Sequence, residues 1–203
     1  MAYRRTPAVQ ARLDAQRQAI LDGAIAVLSK DGYAGCSMSA VAAQAGVATG
    51  TLYRHFPSKS ALAVELFRTV VSREVAAVEE AANRDGDLTE RIVAVMETFA
   101  RRALKAPRLA YALLAEPVDP AVDAERLVFR KRFRDIFAER IAEGVAAGVL
   151  PPQDAQVTAA ALVGAGGEAL IGPLVDGAAE PDVIPAFVTF TIRALGAADA
   201  THA

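Results

Sequence analysis

Among the 203 residues of this chain there is one cysteine, Cys36, two histidines and no tryptophan. A single cysteine cannot build an internal disulfide framework, and no Cys/His spacing suits a zinc site. No metal is expected, and the reduced interior of a cell is the expected compartment. The opening residues, MAYRRTPAVQARLDAQRQ, hold no apolar h-region, so a secretory leader is not expected and the predicted location is cytoplasmic. Hairpin signals are missing too, as are internal repeats and low-complexity tracts. The only histidines are His55 and His202, no nucleophile elbow or acid–base dyad is present, and Gly164, Gly166 and Gly167 lack the Lys-Ser/Thr of a phosphate loop. We expect no enzyme and no cofactor.

What is present is apolar and helix-forming. Hydrophobic residues make up 53% of the chain and charged ones 23%, ample for a packed core. Alanine, the best helix former, supplies 46 residues. The stretch Ala155 to Val175 is mostly apolar but carries Gln156, Glu168, Pro173 and four glycines. A glutamate in lipid is expensive, so a buried or subunit-facing helix is expected there and no membrane partner. Net charge is −2, yet residues 1–68 hold eight basic and four acidic side chains, leaving +4 on that segment and −6 on the rest. A basic segment on an acidic body suits contact with a polyanion.

Apolar spacing predicts an all-α fold. A first helix is expected over 12–30, where Ile20, Ala24, Val27 and Leu28 form one stripe and Gly32 closes the end. Short helices follow within 37–56. A long one, capped by Ser58, runs over 58–83 to the turn Asn83–Asp87. Further helices are expected over 88–106, then to Glu116, over 121–147, from an Asp154 cap to about Pro173, and over 182–195. In the last, Phe187 to Ile192 would suit a strand, but no partner strand exists. Residues 1–57 are read as an N-terminal three-helix domain and 58–203 as a C-terminal helical domain, joined by the long helix.

Met38 to Phe56 carries the strongest signal. Val41, Ala45, Val47 and Leu52 form a small core, Ala42 allows a close crossing, and Gly46 can turn with positive φ. Two helices crossing steeply over a short turn need this set; spacing alone leaves a DNA-binding helix-turn-helix and a plain αα-hairpin both open. The string GTLYRHFPSKSAL, Gly50 to Leu62, resembles the signature of the tetracycline-repressor (TetR) family of transcriptional regulators. GYAGCSMSAVAAQAGVATG, Gly32 to Gly50, continues the likeness, which covers roughly residues 15–68.

The resemblance implies that Thr49 and Gly50 open the recognition helix and face base edges. It implies that Thr51, Tyr53 and His55 meet phosphate or sugar, that Lys59 neutralises a phosphate, and that Ser39 lies where a backbone or base contact is common. Arg54 can reach backbone or a guanine. Cys36 and Met38 are uncommon types at their positions, and no contact is expected of them. The reading surface, Ala48 to Thr51, lacks the bidentate Arg–guanine and Asn/Gln–adenine pairs. Specificity would then rest on thymine methyls, shape and the two-fold symmetry of a pseudo-palindromic double-stranded operator. Arg4 and Arg5 suit either a minor-groove arm or a disordered tail.

In the second domain, Phe129, Phe133 and Phe137 recur at i, i+4, i+8, with Met96 and Phe99 on one neighbouring helix and Tyr111 and Leu113 on another. Such a cluster is a filled core or a cavity wall. The resemblance implies a pocket for a small apolar or amphipathic effector. Glu168, polar in an otherwise apolar helix, suits either a cation or donor on a ligand or an arginine across the subunit interface. Ala161, Ala165 and Ala169, with Val183, Phe187 and Phe190, are the candidate two-fold interface of a homodimer, where the family dimerises. The run RKRFR, Arg130 to Arg134, reads as a salt-bridged helix face. The expected function is a homodimeric, ligand-released repressor; the rival is a helical ligand-binding protein that has lost DNA recognition.

Overall fold

The structure is a computed structural model and describes residues 6–176 and 183–196. Arg4, Arg5, Asp182 and His202 lie outside the described residues. Among those described, nine α-helices follow in order: α1 Pro7–Gly35, α2 Met38–Gln44, α3 Thr49–His55, α4 Lys59–Ala82, α5 Leu88–Lys105, α6 Pro107–Leu114, α7 Pro120–Ala146, α8 Ala155–Asp176 and α9 Val183–Leu195.

Three boundaries carry physical lessons. α1 begins five residues before the expected start at residue 12, because Thr6 caps it by accepting the Val9 N–H and Pro7 sits in its first turn. Its regular course breaks at Gly32, where φ is 70°. α8 runs through Pro173 to Asp176 instead of ending at the proline. A proline this near the end removes one ladder bond, and Leu174, 4% exposed beside Leu170, holds the last turn against α5 and α6. The 187–192 stretch is helical: Phe187, Thr191 and Leu195 are buried at i, i+4, i+8, and the Thr191 hydroxyl donates to the Phe187 carbonyl at 2.9 Å.

Three hydrophobic clusters are strung on α4, two of them toward its ends. The first joins Ile20, Ala24 and Leu28 of α1 to Val41 of α2, Leu52 of α3 and Leu62 and Leu66 of α4, with Ala112 of α6 closing it. The second joins Val78 and Ala82 of α4 to Ile92 and Met96 of α5, Ile141 of α7, Leu162 of α8 and Phe187 of α9. Each fully buried Leu or Ile contributes about 1.5–3 kcal/mol of apolar burial. α4 therefore belongs to both halves.

The α2–α3 turn depends on Gly46, at φ 65° with open space where a Cβ would stand. Strain there is purely backbone. Gly46→Ala should cost about 1–2 kcal/mol in urea unfolding with no steric component; an unchanged midpoint would show that the turn relaxes.

Candidate functional site

α3 is a short helix pinned by one residue and presented by the rest. Leu52 is fully buried and Phe56 nearly so, which fixes the rotation of the helix. Thr49, Gly50, Tyr53 and Arg54 then face outward, and Ser39 is exposed on α2. Tyr53 remains 49% exposed with its ring outside the core. Thr51 is half-buried, and its hydroxyl accepts from Arg54 at 3.4 Å. The helix-turn-helix geometry comes from Ser37 capping α2 through the Ala40 N–H at 3.2 Å, and from Ser58 capping α4 through the Ala61 N–H at 3.0 Å. Gly23 lets α1 approach the turn; a Cβ there would stand 3.0 Å from that of Ala45.

Two residues of this set are held within the protein. His55 shares a hydrogen bond with Gln16 of α1 at 3.0 Å. Lys59 donates to the Tyr33 carbonyl at 3.3 Å and lies 4.4 Å from the centre of the Tyr33 ring. Sequence patterns fix which helix a residue occupies, not which neighbour it meets across the fold. Cys36 and Met38 are buried, and burial pushes the Cys36 thiol up in pKa.

An apolar cavity opens between α4, α5, α6, α7 and α8. Met96, Phe99, Leu113, Phe129, Phe133 and Phe137, all named as pocket candidates from the sequence, line it. Phe99 meets Phe133 edge-on at 5.8 Å, and Phe67 meets Phe129 at the same distance. Two expected residues stand elsewhere. Tyr111 points off the cavity face of α6, which is set by Leu109, Ala110, Leu113 and Leu114, and packs with Leu170 and Leu174. Glu168 is exposed on the outer side of α8, because the inner side at that level belongs to Gly166 and Gly167. Sequence reasoning missed Phe67, Val70, Val71 and Glu74 of α4, which fall at i, i+3, i+4, i+7 and could have been found by that spacing. Gly166 makes room for the Phe187 ring and the cavity.

The two regions are joined by a polar clamp. The α6–α7 turn brings Glu116 to the end of α1, where its carboxylate accepts the N–H groups of Tyr33 at 2.8 Å and Ala34 at 3.3 Å. The Tyr33 hydroxyl donates to Asp119 at 2.5 Å. Arg126 ties the same turn together, donating to the carbonyls of Ala112, Leu113 and Glu116. Burial, then the bond to Asp119, raise the Tyr33 phenol well above its usual pKa. Its contribution is complete below the unfolded phenol pKa of about 10 and is lost as pH climbs toward the folded value. Wild type should thus lose stability between pH 9 and 11 more steeply than Tyr33→Phe, measured by urea unfolding at each pH (about one pH unit either side of that pKa).

The candidate subunit face divides. Ala161, Ala169 and Phe190 are exposed, alongside Val157 and Val175. Phe187 is not on that face: it is 6% exposed, its ring packed where a Gly166 side chain would be. Ala165 and Val183 are half-buried against the protein's own clusters. By length and composition α8 could cross a membrane; here Ala159, Leu162, Leu170 and Leu174 seat one side of it in the body. In the basic run, Lys131 pairs with Asp135 and Arg132 with Glu79, while Arg130 lines the cavity.

Comparison with known proteins follows the same division. Residues 20–66 match the model of bacterial regulatory proteins, tetR family, and residues 85–169 that of the tetracyclin repressor-like, C-terminal domain. The chain is 34% identical over 131 residues, 64% of its length and 60% of the relative's, to the HTH-type transcriptional repressor KstR of Mycobacterium tuberculosis. It is 38% identical over 98 residues, 48% of each chain, to the repressor of the same name from Mycolicibacterium smegmatis. The match thus spans about half the length of these curated relatives. The transcriptional regulator FadR from Bacillus subtilis, solved in complex with stearoyl-CoA, has the same fold, with a TM-score of 0.75 at 20% identity over 88% of this chain and 97% of that one. With both halves matched in order, the chain belongs to the TetR family of bacterial regulatory proteins.

Proposed function

We propose that this chain is a cytoplasmic, homodimeric repressor of transcription that leaves its operator when an apolar or amphipathic effector fills the cavity. Residues 1–57 act as the DNA reader and 58–203 as sensor and dimer module. One observation carries the reading: outward Thr49, Gly50, Tyr53 and Arg54 and the apolar cavity are braced by the same helices, α4 and α6. The relatives' names, transcriptional repressors, support the first half, and the stearoyl-CoA in FadR supports the second. Each subunit places α3 in a major groove, with half-sites about 34 Å apart. Dimerisation uses the outer side of α8 and α9, around Ala161, Ala169 and Phe190. Lys59 gives one of its three N–H donors to the Tyr33 carbonyl, so the clamp positions the ammonium that would meet a phosphate.

An effector that binds one tilt of α4 better than the other moves the readers out of register. A hundredfold loss of DNA affinity needs about 2.7 kcal/mol of differential binding. The test is fluorescence anisotropy with the duplex upstream of the chain's own gene, an unrelated duplex and a salt series. Affinity for the upstream duplex should fall about a thousandfold between roughly 50 and 200 mM salt, as several phosphate contacts require. Weak, equal binding to every duplex, including a genomic fragment pool, would favour the ligand-binding rival.

A further inference from the structure

We infer that Arg130 reads the anionic end of the effector, so that the ligand class is an apolar chain bearing an anion. The inference rests on the cavity being the effector site. α5 and α7 face each other across it in antiparallel register. Met96 and Phe137 share one buried cluster, and one turn further along each helix the Phe99 and Phe133 rings meet at 5.8 Å. A further turn along α5 in one direction and α7 in the other brings Arg102 opposite Arg130, both on the cavity wall. Apolar layers thus fill one end, where Met96 and Phe137 are buried, and cations rim the other, about 10 Å away at two helical turns.

The three lining arginines are not equivalent. Arg102 is gripped by both oxygens of Glu74, at 2.5 and 2.8 Å. Arg126 spends its guanidinium on three carbonyls and on Asp123. Arg130 is exposed at the rim and has no hydrogen-bond or ion-pair partner among the described residues. Its neighbours Lys131 and Arg132 point outward to Asp135 and Glu79. A chain lying along the phenylalanines would leave its polar end beside this one uncommitted fork. A carboxylate or phosphate there gains paired, ion-to-ion hydrogen bonds from the fork; a neutral hydroxyl accepts a single weaker one, and a cation is repelled.

Isothermal titration of the full-length chain with dodecanoate, dodecanoyl-CoA and dodecanol tests this, using wild type, Arg130→Gln and Lys131→Gln. Wild type should bind at least one anion about tenfold or more tighter than the alcohol. Arg130→Gln should erase that preference, lowering anion affinity far more than dodecanol affinity, whereas Lys131→Gln, which removes the same charge from the outer side, should keep it. Which anion loses affinity identifies the source, free acid or thioester. Equal wild-type affinity for alcohol and anions overturns the inference while the cavity reading stands, as does an anion preference that survives Arg130→Gln or disappears equally in Lys131→Gln. Failure of wild type to bind any of the three defeats the cavity reading, and the inference with it.

Discussion

Tyr53→Ala is expected to abolish specific DNA binding without weakening the fold, whereas Leu52→Ala, one residue away, is expected to do the reverse. The two side chains leave α3 in opposite directions: Leu52 is 0% exposed and Tyr53 49%. Truncating Tyr53 leaves no cavity, and a surface change of this kind alters stability by about 0.5 kcal/mol or less. In the complex its hydroxyl would meet a phosphate, a bond to a charged group worth about 1.5–3 kcal/mol. A symmetric dimer loses it twice, about 3–6 kcal/mol, or on the order of 10²–10⁴ in affinity. Leu52→Ala instead opens a hole between α1, α2 and α3 and should cost about 2–5 kcal/mol of stability. Thermal melts and anisotropy on the same preparations separate the effects. Wild-type affinity in Tyr53→Ala would place the reading surface on another part of α2 or α3.

That contrast shows what was legible in advance. Helix positions followed from apolar periodicity and from Gly32, Pro107 and the Asp87 turn, all local features that a sequence displays directly. The inward role of Leu52 also follows from local spacing, whereas the outward role of Tyr53 was implied only by the family resemblance. Properties that depend on where separate helices meet were not legible. Glu168 drew attention as the one charge in an apolar helix, yet the side of α8 that turns inward was decided by the glycines at 166 and 167 and by Phe187 arriving from α9. Likewise Phe187 looked like an interface residue by its neighbours and is buried through a partner more than twenty positions away. The pairing of Glu116 with Tyr33 spans 83 residues, and no spacing rule reaches across that distance.

That long-range pairing yields the second large effect. Leu113 and Leu114 line the cavity at the end of α6, and Glu116 and Asp119 hold the end of α1 from the turn that follows. A ligand that displaces α6 must therefore either drag Tyr33 or break its bonds. Both outcomes disturb Lys59, whose ammonium rests on the Tyr33 carbonyl and ring at the start of α4. Gly32 tightens the arrangement further: a Cβ there would stand 3.1 Å from the Glu116 carboxylate, at a φ that favours glycine. In the double variant Glu116→Ala, Asp119→Ala the cavity lining is untouched, so ligand should bind as in wild type. Without the clamp, α6 moves freely and the reader no longer feels it. Effector should then lower operator affinity less than about fivefold, against about a hundredfold in wild type. Anisotropy of operator DNA with and without saturating ligand measures both numbers, and titration of ligand alone confirms occupancy. A full hundredfold response in the double variant would assign the coupling to α4 by itself, through the side chains it contributes to both cores.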